Sequence, residues 1–488
     1  MSELNSSDLP LFLDRNYIGG QWVRARQSAS LDVDDPATGA VIGSVPDCGS
    51  TETREAVEVA TGAFSPWRTL PSNQRAHFLD RWNDLILRNS SHLATIITSE
   101  QGKPLAEAEG EVRYAASFVK WFAEECRRTV GLCVPSSQSD RRILVTKEPV
   151  GVCAAITPWN FPAATVTRKC AAAMAAGCTV VLKPSELTPY TALALARLAE
   201  IAGIPPGVFN VITGRPAVVG GELTSNAAVR KVSFTGSTKV GTLLMRQSAD
   251  TVKRLSLELG GNAPLIVFAD ADLDAAVLGT MVSKFRNAGQ TCVCANRILV
   301  DKSVHDEFVA RLCRTVNSLK VGNGRSPGTT IGPLINSSAV RKVREHIEDA
   351  LTLGATIVLR NDSRLDPERY VDPVVLTGAN SEMRLSQEET FGPVAPIFSF
   401  SDEAEAIELA NATPYGLASY FFTQNVRRAW RVAERLEAGM VALNTGIVSM
   451  EVAPFGGVKL SGLGREGGTL GIEEYLQTKT FHIGGLDA

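Results

Sequence analysis

The sequence has no excess of charge of either sign. Its 49 Lys and Arg stand against 52 Asp and Glu, a formal net charge of -3, which leaves no electrostatic footprint for nucleic acid or an anionic membrane surface. It has no apolar run long enough to span a bilayer. The longest nearly apolar stretch, Cys170 to Leu182, falls short of the roughly 20 residues a spanning helix needs. The first residues, Met1-Ser2-Glu3-Leu4-Asn5, lack the basic region of a secretory signal. Internal repeats, coiled-coil heptads and low-complexity segments are also missing. These absences predict a soluble, cytoplasmic protein with a small diffusible partner, no nucleic acid and no membrane.

Cysteine and histidine narrow the chemistry further. Nine cysteines is an odd number, scattered without the spacing of a disulfide framework, which fits a reducing compartment. Cys153, Cys170 and Cys178 sit among Ala, Val and Met and read as core. Cys292 and Cys294 are one residue apart with no second pair and no histidine nearby in sequence, so no metal site is expected. The five histidines, His77, His92, His305, His346 and His482, all fall in amphipathic or charged, surface-like stretches. A hydrolase built on a Cys-His pair is thereby weakened.

At 488 residues the chain is long enough for two large domains. From residue 150 onward, short apolar runs alternate with helical patterns. Val150 to Thr157, Thr179 to Leu182, Val208 to Ile212, Lys231 to Phe234 and Pro264 to Phe268 read as buried strands; Ala171 to Ala176, Thr191 to Ile201 and Val240 to Ser248 read as helices. Such alternation predicts a parallel, doubly wound sheet with ligands beyond the strands' C-terminal ends. Further strands at Arg297 to Val300, Val374 to Thr377, Val394 to Phe398 and Met440 to Leu443 predict a second α/β domain. The expected fold class is thus α/β, two doubly wound Rossmann-like domains plus a small β oligomerisation element. One domain is assigned residues 1–126 and 148–257, the other 258–465, and the oligomerisation strands 127–147 and 466–488. A hairpin is expected around Gly19-Gly20, with helices over Thr53 to Phe64 and Gln74 to Ile97. The polar, strand-like Thr129 to Lys147 and the tail Tyr475 to Ile483 are expected to pair with each other or with a second subunit.

Among the motifs, the literal G-x-G-x-x-G at Gly462 to Gly467 lacks a clear preceding strand and leaves too little chain for a βαβ unit, so it is not a dinucleotide fingerprint. Gly236-Ser237-Thr238-Lys239-Val240-Gly241 follows a strand and opens a helix, so its backbone N–H groups suit a pyrophosphate as well as they suit a plain turn. Lys183-Pro184-Ser185-Glu186 closes a strand at the same edge, either as ribose contacts or as a solvated loop. Cys292 lies in a loop of polar and small residues, Asn287-Ala288-Gly289-Gln290-Thr291, unlike the packing around Cys170. Glu258, after an apolar strand and before Gly260-Gly261, is placed where desolvation raises a carboxyl pKa. Asn160 in Pro158-Trp159-Asn160-Phe161-Pro162 offers an amide to a developing oxyanion, or serves as a turn residue. Read singly, these residues leave a redox enzyme, a CoA-acylating enzyme and a non-redox thiol hydrolase all open.

Together the segments resemble the aldehyde dehydrogenase superfamily over nearly the whole chain, through those just named and Phe234-Thr235-Gly236-Ser237-Thr238, Leu257-Glu258-Leu259-Gly260-Gly261, Glu389-Thr390-Phe391-Gly392-Pro393 and Pro454-Phe455-Gly456-Gly457. The resemblance implies that Cys292 attacks the aldehyde, Asn160 and the Cys292 N–H stabilise the oxyanion, and Glu258 activates water against the thioester. It implies cofactor contacts from Trp159, Lys183, Ser185, Glu186, Gly236, Ser237, Gly241, Leu259, Glu389 and Phe391. The segment from Phe285 to Arg297 is similar to succinate-semialdehyde dehydrogenases and their glutarate-semialdehyde relatives. That subfamily implies Arg168, Arg286 and Ser449 around the distal carboxylate of a semialdehyde, and Cys294 as the second cysteine of a redox switch. NAD or NADP is the implied cofactor, with Glu186 favouring NAD because an acid at the ribose repels a 2′-phosphate. A homodimer or homotetramer is expected.

Overall fold

The computed structural model describes residues 11–486. Two helix-flanked sheets form the α/β architecture. The parallel centre of the first consists of Phe209–Val211, Thr179–Lys183, Val152–Ile156, Val229–Thr235 and Arg254–Glu258, in that spatial order. Val152–Ile156 and Thr179–Lys183 are buried at every position, as continuous apolar strands must be when helices cover both faces. The chain winds outward from Val152–Ile156 to Phe209–Val211, then crosses to Val229–Thr235 on the other side. Strand order therefore reverses between the strands ending at Ile156 and Thr235, and the loops leaving them face one crevice. The hairpin Asn16–Ile18 and Gln21–Val23 turns at Gly19-Gly20 and pairs antiparallel at one edge.

Gly462–Leu463 pairs antiparallel with Leu257 and Glu258 at the other edge. It is a strand itself, and Val458–Lys459 just before it is another. This departs from the expectation that no strand stands there, but an antiparallel edge followed by a six-residue helix at Gly468–Glu473 is still no βαβ unit.

The second sheet has seven strands, ordered Thr356–Arg360, Val374–Thr377, Val394–Phe400, Ala295–Asp301, Ala263–Val267, Ala418–Phe422 and Met440–Leu443. Ala418–Phe422 and Thr356–Arg360 were not expected. The first is a short, fully buried run behind the turn at Asn411 to Gly416, and the second is a partly exposed edge. Between the sheets the chain passes through Leu259 to Asn262, immediately after Glu258.

A third, three-stranded sheet joins Leu132–Val134, Arg142–Pro149 and Leu476–Ile483. The tail runs in full antiparallel register along Arg142–Pro149, from Leu476 opposite Pro149 to Ile483 opposite Arg142. The two pieces expected to pair do so within one chain. Two helix boundaries need correction. The single helix expected over Gln74 to Ile97 is two, Ser72–Arg88 and Ser90–Gln101, broken at Asn89, whose side chain donates to Leu85 O at 2.8 Å. The helix expected to begin at Ala171 begins at Ala164. The buried carboxylate of Glu111 caps it by accepting the N–H groups of Ala163 at 2.8 Å and Ala164 at 3.3 Å, a favourable place for negative charge. Lys103 balances that charge at 2.5 Å. Among the described residues, no helix is long and apolar enough to cross a membrane.

Candidate active site

The loop before Cys292 is held in a conformation it would not choose alone. Asn287 (φ 53, ψ 38), Ala288 (φ 54, ψ 31) and Gly289 (φ 77) are three successive left-handed residues. Only the glycine adopts this without strain, at a cost of about 1 kcal/mol or more for the others. A Cβ at Gly289 would stand 2.2 Å from Gly392 O, so no side chain fits there. Polar contacts over-determine the loop. The Asn287 amide donates to Asn160 O (3.1 Å) and Gln290 O (3.3 Å), accepts from Gln101 Nε2 (3.0 Å), and its backbone N–H donates to Glu107 (2.8 Å). Gln290 Nε2 donates to Asn287 O (3.1 Å) and Pro333 O (3.3 Å), while its Oε1 accepts from Ile335 N (2.9 Å). Asn160 is pinned from the other side: Lys103 Nζ donates to its carbonyl at 2.8 Å. Its Nδ2 donates to Gln290 O at 3.0 Å, which leaves the second amide N–H available.

Cys292 opens onto a cavity of about 300 Å³ whose wall includes Trp159, Asn160, Phe161, Arg168, Gly236, Ser237, Leu259, Arg286, Glu389, Phe391, Ser449, Phe455 and Tyr114. That volume suits a small ligand. Burial pushes the Cys292 thiol up to about 12; Arg168 counters this, while the carboxyls of Glu389 and Glu258 add to it. At neutral pH the thiol is protonated and needs a base to react.

Glu258 is buried and absent from the cavity wall, and neither of its carboxyl oxygens has a hydrogen-bond partner. Burial, followed by the nearby Glu466, holds its pKa well above the usual carboxylate range, against the pull of Arg168 and Lys169. Glu466 goes the other way: burial raises it, but Lys169 and Arg168 outweigh burial and keep it ionised. The two neighbouring carboxyls are thus shifted in opposite directions. Gly456 gives Glu258 its room, since a Cβ there would lie 2.8 Å from Oε1.

The cofactor-type residues divide. Trp159, Gly236, Ser237, Leu259, Glu389 and Phe391 line the cavity. Trp159 and Phe391 meet edge to face at 5.6 Å. Gly261 N–H donates to Glu389 Oε1 at 3.2 Å, and burial raises the Glu389 carboxyl to about 7. Ser237 caps the helix Thr238–Ser248, accepting from Val240 N at 3.4 Å, and that helix presents its N-terminus at the crevice. Gly241 lies under Leu259, with no space for a side chain. Lys183, Ser185 and Glu186 lie outside the cavity, at the end of the neighbouring strand, where Lys183 Nζ donates to Pro184 O (2.9 Å) and pairs with Glu186 (3.3 Å). A strand-edge crevice with a helix N-terminus and an aromatic end fits a dinucleotide.

The tail-type residues Arg168, Arg286 and Ser449 all reach the cavity, but the two arginines differ. Arg168 Nε lies 2.5 Å from Glu466 Oε2, an ion-pair contact too bent for a hydrogen bond, and its guanidinium stacks over Phe455 at 4.2 Å. Arg286 stands over Phe161 at 5.2 Å with its Nε buried and unpartnered. Cys294 is fully buried away from the cavity, accepting from Lys284 Nζ at 3.4 Å, so a disulfide to Cys292 requires that contact to break.

His346 corrects an expectation: it is fully buried, with Nδ1 3.2 Å from Thr390 Oγ1 and Nε2 3.3 Å from Glu388. It supports the turn before Phe391 and does not line the cavity. Sequence reasoning missed Gln101, Lys103, Glu107 and Glu111, although a carboxylate at Glu111 interrupting the Ala108, Val112, Ala115 face was a readable sign. It also missed Glu466, hidden inside the rejected glycine motif, and Tyr114.

A thiol on a strained loop, an amide beside it, a partnerless carboxyl behind it and a dinucleotide crevice at a strand-order reversal define an aldehyde-oxidising enzyme of the α/β class. The chain belongs to the aldehyde dehydrogenase family, whose model matches residues 22–481. It is 55% identical to the glutarate-semialdehyde dehydrogenase of Pseudomonas aeruginosa, over 98% of this chain and 99% of that protein. Identity is 54% to the NADP-dependent succinate-semialdehyde dehydrogenase of Escherichia coli, over 99% of this chain and 100% of that one. A crystal structure of succinate-semialdehyde dehydrogenase from Burkholderia pseudomallei superposes with a TM-score of 0.96 at 55% identity, covering 97% of this chain and 98% of that one. Oxidoreductase chemistry on an aldehyde, with NAD or NADP, follows from the family.

Proposed function

We propose that this enzyme oxidises a C4 or C5 semialdehyde acid, of the succinate- or glutarate-semialdehyde kind, to the dicarboxylic acid. The observation that carries the substrate class is Arg286, whose buried, unpartnered Nε shares a cavity with Cys292. A guanidinium left unpaired in a low-dielectric wall favours a carboxylate over an apolar tail. The two semialdehyde dehydrogenase relatives named above support the same reading.

In the proposed reaction the Cys292 proton passes to a base as its sulfur bonds the aldehyde carbon. The free Asn160 N–H and the Cys292 N–H stabilise the oxyanion. The chemistry a nicotinamide supplies, when bound between Gly236-Ser237 and the Trp159, Glu389 and Phe391 end, is acceptance of the aldehyde's hydride. This leaves a thioester on Cys292. Glu258, ionised for this step, takes a proton from water; the water oxygen bonds the acyl carbon, the C–S bond breaks and the thiol is regenerated. A partnerless carboxyl with a raised pKa suits a general base near neutrality. It also argues against transfer to CoA, which needs no water-activating base.

For the cofactor we favour NAD, because Glu186 puts a negative charge beside the expected ribose; Lys183, already paired with it, offsets part of the repulsion. We also infer a homodimer or homotetramer. Leu132, Leu144 and Phe481 stay exposed on the three-stranded sheet, and light scattering that returned a monomer would overturn this.

The test is steady-state kinetics with succinic and glutaric semialdehydes and a neutral aldehyde of matched length, each with NAD and NADP. The Arg286→Ala variant is expected to raise KM for the acids by about 30-fold or more, the scale of a lost charge-assisted contact, and far less for the neutral aldehyde. Equal effects on both would exclude the anionic tail.

A further inference from the structure

We infer that Tyr114 is a specificity-determining residue, donating its hydroxyl proton to the anionic tail of the substrate beside Arg286. The inference deepens the proposed semialdehyde reading and rests on it.

Tyr114 sits on the helix Leu105–Glu125, one turn after Glu111, which fixes that helix to the start of Ala164–Ala176. Its ring packs edge-on against Phe118 at 4.8 Å and 66°, so the hydroxyl has a set position. That hydroxyl is buried, reaches the cavity wall and makes no hydrogen bond of full geometry, although Ser449 and Arg168 bring donors toward its oxygen. Arg168, Arg286 and Ser449 stand near it: burial pushes the phenol's pKa up, and these three partly offset the rise. Arginine can only donate, so neither guanidinium can take the phenol proton, and the hydroxyl makes no full-geometry donation to Ser449, the neighbour that could accept it. A carboxylate can, and it has acceptor sites left over for Arg286 and Ser449.

The neighbouring arginine strengthens the case. Arg168 is already paired with Glu466, which Lys169 also holds. Its charge is largely compensated before substrate arrives. The cavity groups without a full hydrogen bond are therefore the Tyr114 hydroxyl and Arg286 Nε, with Thr235 Oγ1 beside Gly236 at the cofactor end. A tail ending in a methyl group would leave both orphaned and is disfavoured for that reason. A carboxylate satisfies both. The signal was absent from the sequence because Arg113-Tyr114-Ala115 reads as an ordinary amphipathic helix.

The experiment compares Tyr114→Phe with Arg286→Gln and wild type on a semialdehyde acid and a matched neutral aldehyde. Inhibition by the dicarboxylate product serves as a binding readout independent of turnover. Tyr114→Phe is expected to lower the acid-to-neutral ratio of kcat/KM roughly tenfold or more, mainly through KM, and to weaken the dicarboxylate by a similar factor. An unchanged ratio in Tyr114→Phe with a lowered ratio in Arg286→Gln would overturn the role of Tyr114 alone. An unchanged ratio in both variants would overturn the anionic-tail reading itself. Equal loss of activity on both aldehydes in Tyr114→Phe would make the residue merely structural.

Discussion

The loop backbone that carries Cys292 and the wall groups around it are built on opposite principles. In the loop nearly every polar group is committed: the Asn287 and Gln290 side chains alone make six hydrogen bonds, and they hold a backbone strained at Asn287 and Ala288. Among the surrounding groups, the Tyr114 hydroxyl and Arg286 Nε at the cavity wall and both Glu258 oxygens, buried outside it, make no full hydrogen bond. Satisfied polar groups fix position, whereas buried unsatisfied ones wait for a ligand. On the proposed reading, the nucleophile is positioned by the protein alone, while the groups assigned to the tail and the water are completed by substrate.

Changes that break the loop should damage all substrates alike. Asn287→Ala removes the side chain that tolerates the left-handed conformation and its links to Gln101, Asn160 and Gln290. We expect kcat/KM to fall on the order of 100-fold, as for a nucleophile misplaced by about 1 Å, equally for acidic and neutral aldehydes. A selective loss for acids would blur the distinction between loop and wall. The Arg286 and Tyr114 variants probe the other side and should be selective, with smaller effects in that order.

The smallest effect concerns the carboxyl pair. Glu466 raises the Glu258 pKa by its charge and also engages Arg168 and Lys169, which lower it. Glu466→Gln removes the like charge and frees the two cations, so the Glu258 pKa must fall. If Glu258 works as a base, the acid limb of the pH profile for kcat moves to lower pH. A shift to higher pH, or none, would show that the profile reports another group.

Much of this was legible in the sequence because local chemistry and fold agreed. The apolar runs at Val152–Ile156 and Thr179–Lys183 could only be strands covered on both faces, and the small polar residues around Cys292 mark a loop, although the fold buries Asn287 to Thr291 almost completely. What stayed hidden depends on long-range geometry. Nothing near Glu466 in sequence says that Arg168 and Lys169, some 300 residues earlier, converge on it. His346 looked exposed because its neighbours Arg344, Glu345 and Glu348 are charged, yet its own face of Ser337–Thr352 packs inward with Val343 and Ile347. Lys183 and Glu186 were read as separate ribose contacts, but their pairing is visible only in three dimensions.

The central claim is that Cys292 carries an acyl group which Glu258 releases through water. Its most direct test is rapid-mixing kinetics of Glu258→Gln with a semialdehyde acid and NAD or NADP, combined with intact-protein mass measurement. The account predicts a burst of about one reduced nicotinamide per active site, a steady-state rate lowered by roughly 10²- to 10⁴-fold, and an acyl adduct on Cys292. A variant that turns over at the wild-type rate, or one that stalls with no adduct on Cys292, would contradict it.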